Sequence, residues 1–242
     1  MSKILVVGES CTDKFVYCDA IRLAPDLPVP VLQIVREASN PGMAANVFRN
    51  ISAHIDGVTL LTNPNYGQVT KTRYMHESSN HMFIRVDSAH EFGTLNFEEL
   101  DLNHELIVIS DYNKGFLSDT IIQKICENHP NVFLDTKKKL GQWAEKASII
   151  KINDYEYKKS KPFLTETLEN KIIHTMGSKG CEFNGKIYPV ESREVRDTSG
   201  AGDSFMAALV VKYIQTKNIE ESIIYANEMA SEVVQHRGVG VI

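Results

Sequence analysis

The 242-residue chain is poor in cysteine: there are four (Cys11, Cys18, Cys126, Cys181), with no CxxC spacing among them. That pattern suggests neither a zinc site nor a disulfide framework. No apolar run is long enough to cross a membrane, and the opening Met1-Ser-Lys-Ile-Leu-Val-Val-Gly8 is a short apolar run rather than a signal peptide. Positive charge is in no surplus. The 26 Lys and Arg stand against 31 Asp and Glu, a formal charge of −5, which argues against a protein that grips nucleic acid through a basic surface. Repeats and low-complexity tracts are missing too. The eight histidines are scattered, and His76 and His81 beside Glu77 read as solvated loop or strand residues before they read as metal ligands. Asn50-Ile-Ser52 fits a glycosylation sequon, which means nothing without a secretory signal. These absences leave a cytoplasmic protein as the expectation, of a length at the long end for one domain and ample for a buried core.

What is present is an alternation of strand and helix patterns. Residues 3–8 form a continuous apolar run ending in glycine, as a buried strand does. Residues 44–55 carry apolar side chains at helical spacing, with Gly57 as a stop, and 58–62 read as a strand. Thr70–His76 and His81–Asp87 alternate around Glu77-Ser-Ser-Asn80 and predict a hairpin. Buried strands follow at 105–110, 131–135, 147–153 and 171–177, with a helix over 118–129 capped by Ser118. Residues 181–190 predict a hairpin turning at Asn184-Gly185, and two helices, about 201–217 and 219–236, close the chain. Such an order implies a mostly parallel sheet with helices on both faces. Sheets of this kind bind ligands beyond the carboxyl ends of their strands. Unusual polar residues fall at those ends: Gly8-Glu9, Ser110-Asp111-Tyr112, Asp135-Thr136-Lys137, Asn153 and Met176-Gly177. One stretch, 21–47, breaks the alternation. Its prolines suit edge strands, and with the 70–87 hairpin it predicts a small sheet projecting from the body, either a lid over a cleft or a plain surface flap.

The stretch Asp197-Thr-Ser-Gly-Ala-Gly-Asp-Ser-Phe205 leads straight into an apolar helical pattern. Gly200 and Gly202 let the backbone turn sharply and let a ligand come close. A helix starting near Ala201 turns its first N–H groups outward, a ready site for phosphate. A carboxylate there repels phosphate unless it has a task, such as taking a proton from an attacking hydroxyl, and Asp203 is placed for that. The same residues also read as a glycine turn with a surface Asp at a helix start, where negative charge suits the dipole.

These residues resemble a known family. "DTSGAGDSF" is similar to the C-terminal signature of the PfkB carbohydrate kinases, the ribokinase-like family, and "NPGMAANV" (40–47) resembles the N-terminal one. "VVGESCTDKF", "SDYNKGFLS", "NDYE" (153–156), "TMGSKGC" and "ANEMASEVVQHRGVGVI" resemble further family segments in family order. Within the family, "APDLPVPV", "TKTR…FIRVD" and "SDYNKG" look most like the subgroup that phosphorylates heptose 7-phosphate. The resemblance implies a ribokinase-like three-layer α/β/α fold with a mostly parallel central sheet. It also implies a single kinase domain over 1–242 with a β lid from about 14–40 and 70–88.

By the same resemblance, Asp203 is the base, and the backbone N–H groups of Gly200, Ala201 and Gly202 form the anion hole. Asn153 and Glu156 hold the Mg²⁺ and phosphate end of ATP, partly through water. Thr175, Gly177 and Gly180 line ribose and phosphates, and Asn227 the adenine side. Asp13 and Asn46 bond sugar hydroxyls, with Gly42 permitting close approach. Arg73, Arg85 and Lys114 would meet the charge of a sugar phosphate, although Arg85 can equally pair with Asp87. Asp197 is implied at a monovalent cation such as K⁺. The implied cofactors are thus ATP and Mg²⁺, and the implied partners a sugar or sugar phosphate and a second copy meeting through the lid, with no nucleic acid or membrane.

Two departures stand out. The chain is several dozen residues shorter than family members, the gap falling after "VTLLTNPNYGQ". The glycine pair of the N-terminal signature is Gly42-Met43, whose thioether is expected to crowd the sugar or stiffen the lid hinge. Two other functions stay open, a nucleoside or small-alcohol kinase of the same fold and a non-catalytic nucleotide- or sugar-binding protein.

Overall fold

The computed structural model describes residues 3–79, 81–191 and 199–235. The first apolar run forms β1 (Ile4–Gly8), buried throughout. Only Glu9 separates it from β2 (Ser10–Leu23), which pairs antiparallel with β3 (Pro30–Met43). From β3 the chain passes directly into α1 (Ala44–Ser52), then β4 (Val58–Leu61), β5 (Thr70–His76) and β6 (Met82–Asp87). After an extended stretch come β7 (Leu106–Asp111), α2 (Asp119–Asn128), β8 (Val132–Thr136), β9 (Ile149–Asn153), α3 (Asp154–Ser160), α4 (Glu166–Glu169) and β10 (Ile172–Thr175). Next are β11 (Cys181–Phe183), β12 (Lys186–Tyr188), α5 (Ala201–Thr216) and α6 (Ile219–Val233).

Eight strands make the main sheet, in the order β12-β11-β10-β9-β8-β7-β1-β4. It is parallel from β4 to β10, and β11 and β12 add an antiparallel edge. Its central strands are continuous apolar runs because both faces are covered. Ile4 and Val6 pack with Val47 and Ile51 of α1 and the apolar body of α5. Leu5 and Val7 turn the other way and pack with Ile122 and Ile125 of α2. The α5 segment is apolar all round, and Asp203 through Val211 are buried, as befits a helix wedged between sheet and other helices. The local turn chemistry follows the sequence. Ser118 Oγ accepts from the Ile121 N–H at 3.2 Å, and Asn184 and Gly185 both have positive φ in the β11–β12 turn. Among the described residues no helix is long and apolar enough to cross a membrane.

The smaller sheet runs β3-β2-β5-β6. It is mixed, since β2 and β5 are parallel while the outer pairs are antiparallel. Pro30 and Pro41 lie on β3, the edge strand, where a missing N–H does least harm. β2 starts at Ser10, earlier than the boundary near 14 read from the sequence. Pairing with β3 extends its polar beginning, Cys11 opposite Gly42 and Asp13 opposite Asn40. Between β4 and β5 the chain has only residues 62–69, and β4 is the outermost strand of the main sheet.

Met43 joins the smaller sheet to α1 in a backbone conformation that suits glycine, φ 61° and ψ −133°. Its side chain is buried in the apolar cluster that holds Cys11 and Val69. The thioether therefore packs into the core at the joint between the smaller sheet and α1. The strained backbone costs about 1–3 kcal/mol, offset by that burial. Replacement by smaller residues separates the two effects. Met43→Gly is expected to be more stable than Met43→Ala by about 1 kcal/mol in urea denaturation, the reverse of the usual order within folded segments.

Candidate active site

Gly200 is the N-cap of α5 with φ 78°, and Asp203 is the third residue of that helix. The turn brings the α5 start over the carboxyl ends of β8 and β9. A Cβ on Gly202 would lie 2.8 Å from the Lys151 Nζ, so the backbone here approaches a buried lysine as only glycine allows. Asp203 is itself buried, and each of its oxygens has a donor. Oδ1 accepts from the Tyr112 hydroxyl at 2.5 Å, and Oδ2 from Asn46 Nδ2 at 3.1 Å. Burial raises the carboxyl above the ordinary aspartate range, while the Tyr112 and Asn46 bonds pull it back down.

Asn46, expected at the sugar, is fully buried on α1, where Oδ1 accepts from Asn50 Nδ2 at 3.1 Å while Nδ2 donates to Asp203. Asn153 and Glu156 also have other partners than expected. They form a capping box at the start of α3, with Asn153 Nδ2 on Glu156 Oε1 at 2.9 Å and the Asn153 N–H on Oε2 at 2.8 Å. Lys137 Nζ adds an ion pair to Oε1 at 2.7 Å. Both oxygens of Glu156 are thus engaged within the protein, and direct metal ligation by this pair would break the cap. No group of three or more His, Cys, Asp or Glu side chains among the described residues is arranged to hold a metal.

Beneath the α5 start lies a second charge arrangement. Lys151, 2% exposed, donates to Asp135 Oδ2 at 2.8 Å. Burial pushes the Asp135 carboxyl up, but Lys151 and then Lys137 outweigh it and hold it below the usual range. For Lys137 burial pulls the ammonium down, yet Asp135 and Glu156 together keep it above the ordinary lysine value. Asp135 Oδ1 has no hydrogen-bond partner, with Lys137 Nζ 3.8 Å away.

A cleft of about 650 Å³ opens along this rim. Gly200, Ala201, Gly202 and Asp203 line it together with Asn153, and so do Thr175, Gly177, Gly180 and Asn227. Val190, Phe205, Ala230 and Val234 give it an apolar wall. Asn227 Nδ2 donates to the Tyr188 carbonyl at 3.0 Å, which fixes the end of β12 beside that wall. The structure therefore brings nine of the residues singled out from the sequence into one cleft.

The remaining candidates lie on the smaller sheet and the nearby loop. Asp13 pairs with Arg73 Nη1 at 2.5 Å, and a Cβ on Gly42 would come within 2.3 Å of Asp13 Oδ2. Arg85 stands opposite Arg73 in register and forks onto Asp87 at 2.7 and 2.6 Å, the second of its two sequence readings. Lys114 is exposed on the 112–116 loop, its N–H bonded to Glu9 Oε1 at 3.0 Å. Asp197 lies outside the described residues. Tyr112, Lys137 and Lys151 were assigned no role from the sequence, nor was Lys71, whose ammonium lies 5.1 Å from the Tyr112 ring. The available signal was polarity out of place, most plainly the lysine inside the apolar run "ASIIKIN".

A parallel sheet whose rim sets a buried carboxylate at a glycine-bounded helix start, above lysines and beside a long cleft with an apolar wall, defines a phosphotransferase site. Residues 118–241 match the pfkB family carbohydrate kinases, and the chain belongs to that family. It is 27% identical over 301 aligned positions to the bifunctional protein HldE of Helicobacter pylori (strain G27), an alignment covering 98% of this chain and 64% of that protein. The chain thus spans less than two thirds of the length of the curated relatives it matches. An alignment longer than the chain also means that the relative carries segments absent here. The fold is similar to the Methanocaldococcus jannaschii nucleoside kinase, an archaeal member of the ribokinase family (TM-score 0.72, 18% identity, 98% of this chain and 93% of that one). It is also similar to the Arabidopsis thaliana ribokinase complexed with ribose and ATP (TM-score 0.66, 17% identity, 98% and 94%).

The buried pair makes a stability prediction. Lys151→Met leaves Asp135 buried with only the more distant Lys137, and is expected to lower stability by about 3 kcal/mol in urea at pH 7. Asp135 has a lowered folded-state pKa, so the pair stabilises the fold above the unfolded pKa and ceases to as pH falls through the folded one. The deficit of the variant should accordingly shrink on acidification.

Proposed function

We propose that the chain transfers the γ-phosphoryl group of ATP to a hydroxyl of a phosphorylated sugar, of the heptose 7-phosphate class. The observation that carries this reading is the placement of Asp203: a buried carboxylate with both oxygens hydrogen-bonded, three residues into a helix whose first N–H groups face a cleft. Asp203 takes the proton of the acceptor hydroxyl as its oxygen forms the bond to phosphorus and the bond to the ADP oxygen breaks. The N–H groups of Gly200, Ala201 and Gly202 and the Lys151 ammonium meet the charge on the transferring group. The apolar wall with Asn227 suits a nucleobase, and Thr175, Gly177 and Gly180 of the same cleft suit the ribose and phosphates.

Mg²⁺ would come with the nucleotide. The donor set fits an ion held mainly by phosphate oxygens and water, with the unpartnered Asp135 Oδ1 and the capped Glu156 as outer partners. Bound there, the ion neutralises phosphate charge. A monovalent cation such as K⁺ at Asp197 remains part of the proposal.

The acceptor class rests on the face of the smaller sheet that carries Asp13. Lys71, Arg73 and Arg85 share that face by register, and a neutral nucleoside has no need of such a cluster. We take this sheet as the lid of a single domain. Its opposite face exposes Ile34, Ile84 and Val86, which suits a second copy of the chain. Four free cysteines, all buried, fit a cytoplasmic setting. The trimmed length favours one other reading, a protein that binds nucleotide without turning it over.

Mg-ATP consumption against a panel of sugars, sugar phosphates and nucleosides tests the assignment, with Asp203→Asn alongside. The expectation is ADP release with a phosphorylated heptose or hexose and a fall of about 10³-fold or more in the variant, with ATP binding kept. ATP binding without turnover on any acceptor would favour the binding protein, and turnover on nucleosides alone the nucleoside kinase. Arg85→Ala should raise KM for the phosphorylated sugar at least about 10-fold with little change for ATP. An unchanged KM removes Arg85 from the acceptor site.

A further inference from the structure

The segment that follows β7 is held by an unusual buried group. Glu9, fully buried between β1 and β2, accepts three backbone N–H bonds from it: Tyr112 at 2.8 Å, Lys114 at 3.0 Å and Phe116 at 3.3 Å. Asn113 and Gly115 both have positive φ, so the backbone curls around that carboxylate. The curl sends the Tyr112 side chain to the α5 start, where its hydroxyl donates to Asp203 Oδ1 at 2.5 Å. The ring lies between two ammonium groups, Lys71 Nζ at 5.1 Å from its centroid and Lys137 Nζ at 5.4 Å.

We propose that Tyr112 is a positioning residue for Asp203, held in place by Glu9, which keeps the base oriented and ionised for proton transfer. This rests on the kinase reading of the site. Neither Glu9 nor Tyr112 is needed to close the sheet, since the β1–β7 and β7–β8 ladders are complete through their backbones. A phenol can give only one hydrogen, and here the hydrogen goes to the group that must receive the substrate proton. Oδ1 keeps a second lone pair for the acceptor hydroxyl. Burial and the neighbouring Asp203 hold the phenol well above its usual pKa, so Tyr112 stays a donor throughout the working range.

The charged and titratable groups around Asp203 are Tyr112, Asp135 on β8, Lys137 after it, Lys151 on β9 and Cys11 on β2, with Asn46 as the neutral donor from α1. Among the hydrogen-bonded partners, Tyr112 lowers the carboxyl the most. Activity needs the carboxylate and is lost as pH falls through its pKa. Removing the donor raises that pKa and moves the loss to higher pH.

The experiment titrates the Asp203 carboxyl by ¹³C NMR in the ligand-free protein, assigned with Asp203→Asn, and runs kcat–pH profiles in parallel. In Tyr112→Phe, the pKa is expected to rise by about one pH unit or more, with the acid limb of kcat shifted equally. At neutral pH kcat should fall about 10-fold with KM for ATP within about 2-fold. Site-specific 3-fluorotyrosine at position 112 preserves the shape and strengthens the donor, and should move the pKa the other way. Glu9→Gln keeps the tyrosine and loosens its loop, and should give a smaller upward shift. An Asp203 pKa unchanged in both the Phe and the fluorotyrosine proteins overturns the proposal. So does an unmoved acid limb. If no acceptor is phosphorylated by the wild type, the kinase reading fails, while the NMR titration still decides the role of Tyr112.

Discussion

On the proposed function, the site depends on keeping one carboxylate ionised where water has been largely removed. An aspartate buried as deeply as Asp203 tends to take up a proton, and a protonated carboxyl cannot act as a base. The protein answers with donors and cations from separate parts of the chain: Tyr112 after β7, Asn46 from α1, and Lys151 on β9, itself steadied by Asp135 on β8. None of these groups is near Asp203 in sequence. The main sheet is what makes them neighbours, because parallel strands end together on one rim. The α5 start, swung over that rim by Gly200, carries both the Asp203 carboxylate and the N–H groups of the proposed phosphate site.

Much of this was legible in the sequence, for identifiable reasons. Continuous apolar runs mark strands covered on both faces, so β1, β7, β8, β9 and β10 could be located from composition alone. Ser118, Asn184-Gly185 and Gly200 announced their local geometry through side-chain chemistry or its lack. The cleft residues from Asn153 to Asn227 came through the family resemblance of the motifs that carry them. What stayed hidden depended on pairing across the fold. The internal partners of Glu156 (Asn153 and Lys137) and of Asn46 (Asp203 and Asn50) could not be read from the sequence, because they depend on how α3 is capped and how α1 packs against α5. A lysine within an apolar strand signals a buried charge, but the sequence cannot say which carboxylate meets it. At Met43 nothing in the sequence signalled that the backbone would take a glycine-like conformation, because that depends on the direct passage from β3 into α1.

The shortness of the chain is compatible with an intact rim. The cleft draws on the ends of β7, β8, β9 and β10, whereas the abbreviated link follows β4, the outermost strand on the far side of β1. Neither β4 nor the short link after it is among the elements that line the cleft. β4 is only four residues long, which limits the unpaired edge it leaves for wrong partners.

The way the smaller sheet is attached decides where the chain can change length. It leaves the main sheet through a single residue, Glu9, and returns to it at Met43 with no linker before α1. One extra residue at the Glu9 junction would turn every later side chain of β2 to the opposite face, and one at the Met43 junction would shift the helical frame that sets Asn46. The tip between β2 and β3, residues 24–29, carries no such constraint, being mostly exposed and far in register from Asp13. Family members should therefore differ in length at that tip and keep a fixed residue count at the two joints.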